Sequence, residues 1–149
     1  MICLEIDELP PTSNHAYFNT GRGRVLTKDG QSFKTRCKKT LSTKYNKEMG
    51  FFKPNVGYDF LYVFHCTEMF NASYKPGGTV KLYKEFDATN RVKLIEDCIQ
   101  EIGGYNDAQN ESVLVHKKQD TKDKTCIWVW MINEEGNRVR ELLQQVCPS

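Results

Sequence analysis

Residues 3–7 alternate apolar and polar positions, the mark of a short strand with one buried face. Leu9-Pro10-Pro11-Thr12-Ser13-Asn14 breaks that run into an extended loop, because proline removes a backbone donor and restrains its predecessor. Residues 19–24 read as a flexible turn, and Lys28-Asp29-Gly30 as another. Over residues 31–49 the apolar positions Phe33, Cys37, Leu41 and Tyr45 recur with a period near four, which predicts a helix with one buried stripe. Residues 58–69 are dense in β-branched and aromatic side chains and predict a strand. A loop or hairpin turn follows over 71–78, then a second strand over 79–86. The pattern then becomes helical again. Val92, Ile95, Ile99 and Ile102 form one stripe of a helix starting at Asn90, closed by Gly103-Gly104. Two further strands, 112–116 and 125–132, flank a polar turn over 120–124. Residues 134–146 predict a closing amphipathic helix with acids at its start, where the helix dipole favours them. The order β-α-β-β-α-β-β-α predicts an α/β (α+β) fold, a single domain over residues 1–149 with a mixed β-sheet flanked by helices.

Composition narrows the class. A chain of 149 residues suits one core, and no stretch approaches the ~20 apolar residues that a membrane span needs. The first seven residues lack the basic and apolar regions of a signal peptide, so the expected location is cytoplasmic. Six cysteines, Cys3, Cys37, Cys66, Cys98, Cys126 and Cys147, are spread without a C-x-x-C pair, which argues against zinc and for free thiols in a reducing compartment. His15, His65 and His116 show no metal or triad spacing, and Gly21-x-Gly23 is too short for a nucleotide-binding fingerprint. Trp128 and Trp130 lie in a predicted strand, with one expected in the core and the other at an interface.

The net charge of +2 conceals an asymmetry. Between Gly21 and Lys53 stand Arg22, Arg24, Lys28, Lys34, Arg36, Lys38, Lys39, Lys44, Lys47 and Lys53, opposed only by Asp29 and Glu48. Such a patch is either a solvated helix face or the footprint of a polyanion partner. The chemistry concentrates elsewhere, in Asp87-Ala88-Thr89-Asn90-Arg91-Val92-Lys93 and the following Asp97. Asn90, Lys93 and Asp97 are spaced three and four apart and share one helical face. Asp107 follows the helix, and if the flanking strands pack side by side, Asp87 and Asp107 converge near a lysine. Carboxylates and an ammonium group together suit metal-assisted phosphodiester hydrolysis, since hard oxygens hold Mg²⁺ or Mn²⁺. Each residue also has a plainer role: Asp87 or Thr89 as a helix cap, Lys93 and Asp97 as a surface pair.

Three ordered motifs resemble the RusA family of Holliday junction resolvases, the crossover junction endodeoxyribonucleases. The first is Pro10-Pro11-Thr12-Ser13-Asn14, followed by Tyr17-Phe18 and the Gly21-Arg22-Gly23-Arg24 loop. The second sets Asp87-Ala88-Thr89-Asn90-Arg91-Val92-Lys93, with Asp97-Cys98-Ile99, against the family's Asp-x-Asp-Asn-x-x-Lys and acid-x-Leu. The third is Asn106-Asp107-Ala108-Gln109, against Asp-Asp-x-Gln. The resemblance implies a RusA-like fold and metal-dependent resolution of four-way junctions by paired symmetric nicks, in DNA recombination and repair. It implies Mg²⁺ (or Mn²⁺) on Asp87 and Asp107, Lys93 at the phosphate, and a homodimer matching a two-fold substrate. Asn90 is expected to orient the ligands; Asn14, Arg22, Arg24, Lys28, Lys34 and Arg36 are expected at the DNA.

One position departs from the pattern: Thr89 stands where the family has its second aspartate. Glu85, two residues before Asp87, and Asp97, one turn beyond Lys93, are candidates to complete the metal site, as is Glu111, four residues after Asp107. Two carboxylates with more water would also serve Mg²⁺. The alternative is a catalytically impaired branched-DNA-binding protein of the same fold. Residues 71–84, longer than the family leads one to expect, carry Tyr74, Lys75, Lys81 and Lys84 and read equally as a DNA-touching flap or a plain hairpin.

Overall fold

A computed structural model describes residues 1–84 and 87–132. The closing helix expected over 134–146, and Glu85, lie outside the described residues. The elements are β1 (Ile2–Ile6), α1 (Ser13–Ala16), β2 (Tyr17–Thr20), β3 (Gly23–Leu26), α2 (Lys28–Lys44), α3 (Asn46–Met49), β4 (Tyr58–Cys66), α4 (Thr89–Gly103), β5 (Asn110–Gln119) and β6 (Lys124–Met131). A single 3₁₀ turn, Asp107–Gln109, precedes β5. The expected mixed sheet and helices are present, in an α+β domain.

The main sheet has the order β1-β6-β4-β5. β6 pairs antiparallel with both β1 and β4, while β4 and β5 run parallel. A parallel pair requires a crossover, and α4 supplies it. β4 is buried along its whole length because both of its faces are covered. On one face Tyr58, Phe60, Tyr62 and Phe64 pack with Phe33, Cys37 and Leu41 of α2 and Val92, Ile95 and Ile99 of α4. On the other, Leu61 and Val63 join Cys126, Trp130 and the partly buried Leu114 and Trp128. Trp128 and Trp130 are two residues apart and share one face of β6; Trp130 is buried in this second cluster, as one of the pair was expected to be, and Trp128 is partly buried against it.

The helical stripes lie where their periodicity places them, and Gly104, in left-handed backbone at φ 70°, caps α4 by donating its N–H to the Gln100 carbonyl at 2.9 Å. Several boundaries differ from expectation: the helix expected over 31–49 is interrupted at Tyr45, whose non-helical backbone separates α2 from α3, β4 stops at Cys66, and β5 runs from Asn110 to Gln119. Lys28-Asp29-Gly30 is the first turn of α2, not a separate turn: the Thr27 hydroxyl caps it, accepting from the Gly30 N–H at 3.1 Å. A side chain on Gly30 would collide with the Ala16 carbonyl, so glycine here serves close packing. Residues 17–26, read partly as a loop, form the two-stranded β2–β3 hairpin. The strand expected over 79–86 is absent among the described residues. Only an isolated bridge between Phe70 and Tyr83 forms, because the alternating Val80 and Leu82 find no core and remain exposed.

Candidate active site

The N-terminal half of α4 is a meeting point for the three sequence motifs. From the first, the Ser13 hydroxyl donates to the Asn90 carbonyl at 2.6 Å, the Arg91 guanidinium donates to the Pro10 carbonyl, and the Tyr17 hydroxyl donates to Asp97 at 3.0 Å. From the third, Asp107 reaches Lys93 at 3.0 Å. The middle motif is α4 itself. Residues more than 70 positions apart thus assemble around the first two turns of α4.

Lys93 is the hub. Its ammonium lies 3.0 Å from an Asp97 oxygen and 3.0 Å from an Asp107 oxygen, so two carboxylates share one cation. Partial burial pulls the Lys93 ammonium down, but hydrogen bonds to Asp107 and Asp97 outweigh that and leave it above the ordinary lysine value. The Lys93 ammonium, then the Gln100 side chain, hold Asp107 below the usual carboxylate range. The loop that presents Asp107 is fixed by its neighbours. The Asn106 side chain accepts from the Ala108 N–H at 2.9 Å, the Gln109 side chain accepts from the Asn106 N–H at 3.0 Å, and Gln109 also donates to the carbonyls of Lys53 and Val56. The capping box explains why an Asn and a Gln frame this acid.

Asp87 sits differently. One of its oxygens accepts from the Thr89 hydroxyl at 2.8 Å and the Asn90 N–H at 3.2 Å, and the other accepts from the Asn90 side-chain amide. The Thr89 hydroxyl and then the Asn90 N–H hold it below the usual carboxylate range. It caps the start of α4, and its described partners are confined to Thr89 and Asn90. The strand expected just before Asp87 does not form among the described residues, so the pairing on which the Asp87–Asp107 convergence depended is not made there, and the acids brought to Lys93 are Asp97 and Asp107. Among the described residues no group of three or more His, Cys, Asp or Glu side chains is gathered closely enough to hold a metal ion. Glu111 is exposed and faces Gly57.

The structure adds residues that sequence reasoning did not single out. Tyr17, quoted only as part of an aromatic pair, is pushed up to about 12 by burial and then by the Asp97 carboxylate, so it stays a neutral donor to that acid. The Arg24 guanidinium lies over the Tyr17 ring, 4.8 Å from its centre. Glu96 is partly buried behind Asp97, which raises it, and it accepts from the Asn110 amide at 3.2 Å. Their signal was non-local, and no spacing rule finds it.

The basic third divides in the same non-local way. Asn14, Arg22, Arg24 and Lys28 are exposed. Arg36 makes a two-pronged pair with Glu8, at 2.8 and 2.6 Å, and Lys34 and Lys38 both pair with Glu101. Three of the basic side chains of α2, Lys34, Arg36 and Lys38, are therefore matched within the chain.

No described helix is long and apolar enough to cross a membrane. No curated protein matches the chain. The model of the family Endodeoxyribonuclease RusA matches residues 8–129, a span that contains all three motifs and every described contact that joins them at α4. With most of its length covered in this way, the chain belongs to the RusA family of endodeoxyribonucleases.

Proposed function

We propose that this protein is a metal-dependent endodeoxyribonuclease that resolves Holliday junctions by paired symmetric nicks, working as a homodimer. The observation that carries the reading is the convergence of three family motifs on the N-terminal half of α4, with Lys93 held between Asp97 and Asp107. The donor set suits a hard dication, since two carboxylates already share one cation in a solvent-exposed setting. Asp107 and Asp97 would hold Mg²⁺ or Mn²⁺, joined by Asp87 or by water. When bound, the metal supplies an acidified water and neutralises charge developing on the phosphate.

The chain's own residues have definable tasks. Lys93 has three ammonium donors, of which two face Asp97 and Asp107, leaving one for a phosphate oxygen. Tyr17 fixes one oxygen of Asp97 and so orients the other. Asn90, bonded to Asp87, keeps that acid turned toward the start of α4. Arg22, Arg24 and Lys28 are exposed for phosphate contacts that position the DNA.

The test is cleavage of a synthetic mobile four-way junction in Mg²⁺, in Mn²⁺ and in EDTA, beside linear duplex. Paired nicks confined to the junction and dependent on metal are expected. A second reading has its own observation, because Thr89 supplies a hydroxyl and not a carboxylate, and that hydroxyl is occupied by Asp87. A binding-only protein would grip the junction and leave it intact in both metals.

A further inference from the structure

Nine large hydrophobic side chains are exposed among the described residues, and five of them, Phe70, Tyr74, Val80, Leu82 and Tyr83, lie within one 14-residue stretch. Scattered single exposures need no explanation, but a concentrated patch marks an interaction surface. This stretch forms an irregular hairpin over residues 67–84. The Lys84 N–H donates to the Met69 carbonyl at 3.0 Å and the Asn71 N–H to the Leu82 carbonyl at 2.9 Å. Its base is fastened to the sheet: the Met69 N–H donates to the Gln119 side chain at 2.9 Å, and the Thr67 N–H to Asp123 at 2.7 Å. The hairpin is thus held at its root while it offers apolar rings to solvent.

Two features say what kind of partner those rings suit. Phe70 and Tyr83 lie opposite each other with ring centres 5.2 Å apart, 40% and 52% exposed, and the Lys117 ammonium sits 5.8 Å from the Tyr83 ring centre. Lys75 and Lys81 lie between them along the hairpin and are exposed, and neither has an ion-pair partner among the described residues. Exposed aromatic faces interleaved with lysines are the physical requirement for holding unstacked nucleobases, with rings for the bases and ammonium groups for the phosphates. The position agrees: Lys84 is three residues before Asp87, so the hairpin root lies within about 11 Å of the acid at the start of α4.

We propose that the 67–84 hairpin is a base-stacking element that receives nucleobases unpaired at the DNA branch point, through Phe70, Tyr83 and Tyr74, with Lys75 and Lys81 on the adjoining phosphates. The proposal rests on the DNA-cleaving reading above. It assigns branch recognition to this hairpin and leaves general duplex affinity to the β2–β3 hairpin and α2.

The test is equilibrium binding in EDTA of a four-way junction carrying 2-aminopurine at the crossover, beside a duplex containing the same base. The proteins are the full chain, Phe70→Leu/Tyr83→Leu, the ring-preserving Phe70→Tyr/Tyr83→Phe, and Lys75→Gln/Lys81→Gln, each checked by circular dichroism melting. Stacking predicts a fluorescence change on the junction with the parent and ring-preserving proteins. It also predicts loss of that change and roughly 5- to 150-fold weaker junction binding in the leucine variant, with duplex affinity unaltered. The glutamine variant should weaken junction binding with a smaller salt dependence. An unchanged signal and affinity in a folded leucine variant would overturn the hairpin's role while junction recognition stands. A parent protein that binds no junction would remove both readings together. If the leucine variant instead sediments as a smaller species than the parent, the patch belongs to a contact between copies of the chain and the stacking proposal falls.

Discussion

The two corners of α4 handle a carboxylate in opposite ways. At its start Asp87 is held by its own neighbours, Thr89 and Asn90, two and three residues away. In its middle Asp97 and Asp107 are brought together by Lys93, although the loop carrying Asp107 lies 14 residues beyond that lysine. A local cap needs only a helix, whereas the shared lysine needs β4 and β5 to be parallel neighbours with α4 crossing over them. The first corner can form for purely structural reasons; the second forms only in the folded domain and is held by charge. On the proposed reading the Asp107 corner is the chemical centre, and Asp87 is the position whose role must be shown by substitution.

The largest effect is expected at the second corner. Asp107→Asn keeps the shape and the capping box but removes the charge that faces Lys93. Even outer partners of metal ligands typically cost 10- to 100-fold, so junction cutting should fall by about 100-fold or more. Junction affinity in EDTA should hold, as gel shift would show. Equal cutting by this variant would remove the site from Asp107.

Next comes Lys93→Met, which should separate two quantities that normally move together. Cutting should fall by roughly 10- to 100-fold, because a point charge at the phosphate is lost. Mn²⁺ should bind more tightly, because the ammonium no longer competes for Asp97 and Asp107. Calorimetry with Mn²⁺ reads the second effect without any cleavage, and weaker binding would mean that the lysine organises the site instead of occupying it.

Asp87 offers a sharper contrast between cap and ligand. Serine is also a good cap, so Asp87→Ser should melt at the temperature of the parent while Asp87→Ala melts lower. If Asp87 joins the metal, both variants lose cutting alike. If it only caps, Asp87→Ser cuts normally. Thr89→Asp completes the series: it places a second charge beside Asp87, and a severalfold gain in cutting is expected if the missing family carboxylate limits the parent.

How much of this was legible in the sequence follows the same division. The stripes Phe33-Cys37-Leu41 and Val92-Ile95-Ile99 announced α2 and α4, because a helix buries a periodic face whatever covers it, while Tyr45, next in the first stripe, is buried just beyond the end of α2. β4 announced itself as a continuous apolar run, as a strand covered on both faces does. The Asp87 cap was legible for the same reason, since its partners are adjacent. Residues 79–84 misled because alternation specifies a strand only where a sheet is present to receive it, and Leu82 and Tyr83 have none. Spacing announced the Lys93–Asp97 pair but not the arrival of Tyr17 and Asp107 beside it; the family motifs named all four positions, and the fold supplied the contacts. The internal pairing of Arg36 with Glu8, and of Lys34 with Glu101, was hidden too, because net charge along the chain does not reveal which face each residue occupies.

The smallest effect is on stability, and its pH dependence tests whether the Asp107 corner is held by charge. Asp107 lies below the ordinary aspartate value, so its contribution is fully present above about 4 and is lost as pH falls through its lowered folded value. Lys93 lies above the ordinary lysine value, so its contribution is fully present below about 10.4 and is lost as pH rises through its raised folded value. The link therefore stabilises the metal-free protein across a plateau between those limits. Both side chains are about half exposed, at 51% and 46%, so solvent screening keeps the contribution under about 1 kcal/mol. In EDTA, Lys93→Met should melt at most a few degrees below the parent at neutral pH. The two curves should draw together below the aspartate range. A gap that persists undiminished in acid would show that the lysine stem supports α4 by packing, and the contrast between a capped corner and a charged one would lose its physical basis.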